Sequence, residues 1–160
     1  ASAAAPKSGE DMFKNILLAT DGSALSSKGA DMAIKMATAL GARITAVHVV
    51  PSYDERMGYD GNVMPKMPEL KKRFEESMAA AAKGILDPVK QAADAAKVAC
   101  ETVKAAGESP YEVIIQQAKQ SGCDLIIMAS HGRKGIQSVL LGSETTKVLT
   151  HSDIPVLVVR

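Results

Sequence analysis

Residues 124–143 read DLIIMASHGRKGIQSVLLGS. Asp124 to Ser130 form an almost unbroken apolar run, and a glycine-containing stretch from His131 to Gly135 follows it. Gly142-Ser143 then stands where a helix would open. A short apolar run without alternation is the pattern of a strand covered on both faces, as in a parallel sheet. Asn15 to Thr20 (NILLAT), Ile44 to Val50 (ITAVHVV) and Ile154 to Arg160 (IPVLVVR) are runs of the same kind, and Val98 to Val103 is a weaker one of mixed polarity.

Helical patterns separate these runs. Ser26 to Leu40 places Ala30, Ile34 and Ala37 on one face, with Gly41 at the C-cap position. Leu70, Phe74, Met78, Ala81, Ile85 and Val89 recur every three or four residues and predict a long amphipathic helix. Gly84 and Pro88 interrupt it, so a kink at Pro88 or a fresh helix capped by Asp87 is expected. Ser109-Pro110-Tyr111-Glu112 has capping-box spacing with Pro at the first helical position, and that helix ends near Gly122. A last helix follows Ser143, with Val148 and Leu149 facing inward. Strands alternating with helices predict an α/β fold: one domain, an open five-stranded parallel sheet with helices on both faces. A Rossmann-like strand order 3-2-1-4-5 is expected of it, which would make the first and fourth strands neighbours.

The chain has 160 residues, 46% hydrophobic and 23% charged, which suits a single globular domain. Residues 1–11 are small, polar and unpatterned, and read as a disordered tail or remnant ahead of a domain spanning 12–160. With 19 basic and 18 acidic residues the net charge is +1, so no concentrated positive field points to nucleic acid. No run approaches a membrane span. Cys100 and Cys123 are widely separated and read as buried reduced thiols. A cytoplasmic setting is the expectation. The stretch from Pro51 to Pro68 reads as a long loop, functional or mobile, whose Met57, Met64 and Met67 are ordinary loop residues.

Chemistry concentrates at two strand ends. The first strand runs into Thr20-Asp21-Gly22-Ser23, and the fourth into Ser130-His131-Gly132-Arg133-Lys134-Gly135. In an open parallel sheet, ligands bind beyond the carboxyl ends of the strands where the winding reverses. Glycines let backbone N–H groups approach phosphate oxygens, and a helix start at Gly142-Ser143 offers unpaired N–H groups and a positive dipole end. Arg133 and Lys134 add charge, and Asp21 suits ribose hydroxyls or a phosphate-bound cation. The chain has neither a GxxxxGK[ST] nor a GxGxxG motif. On these residues alone, a plain turn at Gly132 and Gly135 with a plain cap at Ser143 is an equal alternative. His48, among aliphatic neighbours, reads as a satisfied core histidine. A hydrolase triad of His131, Ser143 and Asp21 is disfavoured because no GxSxG elbow is present. His151 reads as an exposed helix-end residue.

From Met12 to Arg160 the chain resembles the universal stress protein family. The resemblance is carried by NILLATDGS, AVHVV, GESPYEVI and DLIIMASHGRKGIQSVLLGSETTKVLTHSDIPVLVVR. ATP-binding members carry Gly, two residues, Gly, nine residues, then Gly and Ser or Thr. Here Gly132, the nine residues Arg133 to Leu141, and Gly142-Ser143 match, while Ala129 stands at the first Gly position. The resemblance implies ATP with Mg²⁺, held by Ala19, Thr20, Asp21, the backbone of Val49, Met128, Ala129, Gly132, Arg133, Gly142, Ser143, Glu144 and Thr145. Asp21 would meet the metal through the nucleotide. The Glu144 side chain is expected to turn to solvent, away from the phosphates. The resemblance further implies a homodimer paired through Ile154 to Val159, an unidentified protein partner, and a regulatory role with at most slow hydrolysis and no catalytic residue. The alternatives are a nucleotide-hydrolysing enzyme on the same fold and a dimeric interaction protein whose crevice stays empty.

Overall fold

The computed structural model describes residues 12–56, 68–132 and 141–160. Within them the chain runs β1 (Asn15–Ala19), α1 (Ala24–Leu40), β2 (Arg43–Val50), α2 (Tyr53–Arg56), α3 (Pro68–Ala95), β3 (Cys100–Ala106), α4 (Pro110–Gln120), β4 (Leu125–Ala129), α5 (Ser143–His151) and β5 (Val156–Val159). All strand pairs are parallel, as the alternation predicts, and the order is the expected β3-β2-β1-β4-β5. The central strands β1 and β4 are the most buried, which is why their sequences carry no polar alternation. β3 is an edge strand with alternating exposure, which explains its mixed polarity.

Two cores sandwich the sheet. On one face Ile16, Leu18, Ile44, Ala46, Leu125 and Ile127 meet Ala33 and Ala37 of α1 and Leu86 and Val89 of α3. On the other, Leu17, Val47, Ile126 and Met128 meet Ile114, Ile115 and Ala118 of α4 and Val148 of α5. With few aromatics available, small alanines bring α1 close to the sheet. Of the two residues expected to face inward on α5, Val148 is fully buried and Leu149 is exposed, because a nine-residue helix turns only a narrow stripe to the core.

Three other expectations change. Pro88 neither ends α3 nor starts a new helix: the helix runs through it. Pro88 and Gly84, whose carbonyl loses its helical partner, are both on the exposed face, while Leu86, Val89 and Ala93 hold the buried face. The capping box at α4 does not form: Ser109 is the N-cap residue but its side chain makes no cap bond. Glu112 accepts a hydrogen bond from the Tyr111 hydroxyl instead. Lastly, α2 occupies part of the stretch read as irregular, while residues 57–67, including Met57, Met64 and Met67, lie outside the described residues.

At the amino edge of the sheet a polar knot ties β1 to β4. The Asp124 carboxylate accepts from the Lys14 and Asn15 amides at 2.8 and 3.1 Å, and buried Asn15 donates through Nδ2 to the Ser121 carbonyl at 2.6 Å. Cys100 and Cys123 are free thiols. Cys123 is buried but Cys100, expected to be buried, is only partly so, being on the edge strand β3; desolvation is the main cause that pushes both thiols up.

The ends of α1, α3 and α4 share one geometry, in which a residue one or two positions past the helix turns left-handed and the next amide reaches back five residues. Ala42 donates to Ala37, Val98 to Ala93 and Cys123 to Ala118. Gly41 and Gly122 supply the left-handed residue with φ of 65° and 64°, but α3 uses Lys97, with φ of 58°. Lys97 is exposed, so Lys97→Gly removes a steric cost and leaves the packing alone. It should raise unfolding free energy by about 1 kcal/mol in urea titrations. Asp124→Ala, which strands two amides at the β1–β4 knot, should lower it by about 2 kcal/mol in the same assay.

Candidate functional site

The winding reverses between β1, which leads outward to β2, and β4, which leads outward to β5. A cleft of about 770 Å³ opens there. Asp21, His48 and Val49 line it from the first two strands, Pro110 and Ile114 from α4, and Gly132 and residues 141–145 from the end of β4 and the start of α5. The residues brought together include Ala19, Thr20, Asp21, Val49, Met128, Ala129, Gly132, Gly142, Ser143, Glu144 and Thr145. Arg133, like Lys134 and Gly135, lies outside the described residues.

On the β1 side the backbone is held by side chains. Asp21 Oδ1 accepts from the Ser23 amide at 2.9 Å, and Ser23 Oγ accepts from the Ser26 amide at 3.2 Å as N-cap of α1. Gly22 allows the turn with φ of 76°. The Thr20 hydroxyl donates to Ser26 Oγ at 3.2 Å, and its carbonyl accepts from His48 Nδ1 at 2.8 Å. His48 is therefore a satisfied strand histidine, with Nδ1 carrying the proton toward Thr20.

On the β4 side each glycine has a different reason. A Cβ on Gly132 would stand 2.9 Å from Asp21 Oδ2, so glycine here lets the two strand ends close on each other. Gly142 donates its amide to the Ser130 carbonyl at 2.7 Å, and a Cβ on it would come within 3.2 Å of that oxygen. Its amide is thus committed within the fold, and Gly142 stitches the exit of β4 to the first turn of α5. Ala129 ends β4 in extended conformation and is not among the left-handed residues. The methyl therefore costs nothing in backbone geometry at this position.

The first turn of α5 supplies the donors. The Ser143, Glu144 and Thr145 amides precede any intrahelical acceptor, and the dipole end points into the cleft. The Thr145 hydroxyl donates to the Ala129 carbonyl at 3.0 Å and fixes the helix against the strand end. Glu144 departs from expectation: its side chain is not turned to solvent. Oε2 accepts the Tyr111 amide at 2.8 Å, so this carboxylate caps α4 in place of Ser109. Lys147 approaches Oε1 at 3.4 Å. His131 Nδ1 lies 3.0 Å from Ser130 Oγ. His151, also expected at a helix end, accepts nothing from the cleft; its Nδ1 meets the Lys147 carbonyl at 2.8 Å.

Sequence reasoning left out Val47, Pro110, Ile114 and Leu141, which join Val49 and Met128 in the apolar part of the lining. Topology contains the missing signal for the α4 residues. A helix that follows a parallel strand starts at the same sheet edge as the strand's carboxyl end, which puts the start of α4 on the side of the sheet where the crevice opens. Among the described residues no group of three His, Cys, Asp or Glu is placed to hold a metal ion.

Comparison with known proteins agrees with the fold. Residues 12–160 match the model of the universal stress protein family. The chain is 35% identical to a universal stress protein of Thermus aquaticus over 93% of its own length and 100% of the relative's. It is 32% identical to the Bacillus subtilis universal stress protein YxiE, again over 93% of this chain and 100% of the relative. The solved UspA of Lactobacillus plantarum superposes with a TM-score of 0.77 at 26% identity, covering 92% of this chain and 98% of that one. Two more distant fold neighbours were solved with nucleotides. One is a universal stress protein in complex with cAMP (TM-score 0.63, 21% identity, 92% and 97% coverage). The other is an Arabidopsis thaliana family protein with AMP bound (TM-score 0.61, 17% identity, 91% and 90% coverage). The family model spans nearly the whole chain, and this chain belongs to the universal stress protein family.

Proposed function

We propose that the cleft binds ATP together with Mg²⁺ and that the chain works as a dimeric regulatory module in the cytoplasm. The observation that carries this reading is the convergence of Asp21, Gly132 and the first-turn amides of α5 on one cleft of about 770 Å³. That volume suits a nucleotide. The apolar part, from Val47, Val49, Ile114 and Met128, would take the base, with the Val49 backbone reading its edge. Asp21 would meet the ribose or the cation. The Ser143, Glu144 and Thr145 amides, with Gly132 and the strand-end residues Ala19, Thr20 and Ala129, would surround the phosphates, and Arg133 would add charge. The cAMP- and AMP-bound neighbours support only that this fold has room for an adenine nucleotide.

The cation fits as a companion of the phosphates. Asp21 is a hard oxygen donor but stands without the further ligands of a dedicated site among the described residues. The reading includes at most slow hydrolysis, since it assigns no residue to hold a base against an attacking water. The dimer would form through antiparallel pairing of Ile154 to Val159. β5 is an edge strand, partly exposed at all of Val156–Val159. A protein partner would read the nucleotide state through that dimer or the 51–68 segment.

Gly132→Val tests the cleft. Its branches would push the Asp21 carboxylate inward, so ATP affinity by calorimetry should fall more than about tenfold with the melting temperature held. Retained affinity would refute the site. Gly142→Val is a different case. Its clash is with backbone, and it should lower stability as well as binding.

The edge pairing has its own test. Pro155 and Val159 carbonyls face β4, which leaves the Val158 amide on the outer edge. Val158→Pro should therefore cut the dimer fraction in sedimentation while leaving the β4–β5 ladder intact. An unchanged dimer would place the interface elsewhere.

A further inference from the structure

Two helix amino ends open on the cleft, and one carboxylate stands between them. Glu144 sits in the first turn of α5, lines the cleft, and accepts the Tyr111 amide in the first turn of α4 at 2.8 Å. Its side chain keeps 37% exposure. The positive ends of both helices favour an anion at this place, and the protein supplies one of its own. The surroundings hold it there. Lys147 approaches its other oxygen at 3.4 Å and lies 5.4 Å from the centre of the Tyr111 ring, and Tyr111 in turn packs on the His151 ring at 5.1 Å. This fixed negative charge lies in the same helical turn whose amides face the cleft.

We propose that Glu144 is a specificity-determining residue that selects the charge state of the nucleotide, a reading that rests on the cleft being a nucleotide site. An incoming polyphosphate meets attraction from the α5 amides and repulsion from the Glu144 carboxylate one residue into the helix. The repulsion grows with the ligand's negative charge, so the carboxylate weighs most heavily on the most highly charged ligand. Metal-free ATP is therefore selected against. Mg-complexed ATP, whose charge is partly neutralised, and AMP, with a single phosphate, are tolerated. Because Glu144 also caps α4, its charge cannot swing away without stranding the Tyr111 amide.

Glu144→Gln separates the two roles, since the amide oxygen can still accept from Tyr111 while the charge is gone. Calorimetry on the full chain would compare ATP with EDTA, ATP with Mg²⁺, and AMP, for wild type and variant, with thermal melts as the check on folding. Metal-free ATP should gain on the order of tenfold in affinity relative to the other two ligands, and the gain should shrink at high salt. Glu144→Ala should show the same discrimination together with a lower melting temperature. If all three ligands shift by one common factor, or none shifts, Glu144 is only a cap and the proposal fails. If wild type binds none of the three, the nucleotide reading of the cleft has failed first.

Discussion

The winding of the sheet reverses between β1 and β4, and this one topological constraint shapes everything around it. The chain leaves β1 toward β2 and β3, then returns on the far side to lay down β4 and β5. Backbone at the parting must satisfy its own polar groups without a neighbouring strand. The fold does so with local side chains on the β1 side: Asp21 accepts from Ser23, and Ser23 caps α1. On the β4 side it uses Gly142, whose amide returns to the Ser130 carbonyl. What stays open after those bonds is the first turn of α5 and a space walled by α4.

That division of labour revises what each motif residue is for. Gly132 and Gly142 look equivalent in the sequence, yet one lets two strand ends approach and the other closes a backbone stitch. Ala129, at the motif's first glycine position, stands at a strand end that needs no left-handed backbone. Glu144, the residue least compatible with a phosphate site, is retained at the amino end of α4, where its charge has a structural use.

Strands buried on both faces announce themselves, and β1 and β4 were readable for that reason, as were the strand order and the helices whose apolar spacing is regular. The edge strand β3 was only half legible because one face meets water and its composition mixes. Local rules failed where distant residues intervened. Ser109 has the spacing of a capping box, but Glu144, 33 residues on, reaches the Tyr111 amide. Pro88 should break a helix, but burial on the opposite face of α3 outweighs one lost bond. Of the candidate site, the two strand ends were visible as glycine-rich segments. The apolar wall from α4 was not, because a core-facing Ile114 looks the same in sequence whether it meets a helix or a cleft.

The directest test watches the α5 amides themselves. Nitrogen–proton NMR spectra of the labelled chain, titrated with ATP and Mg²⁺, report each backbone amide separately. The Ser143, Glu144 and Thr145 resonances should move most, with Gly142 moving little because its hydrogen already belongs to Ser130. Saturating nucleotide that leaves those three resonances in place, while others shift, would contradict a polyanion held at this helix end.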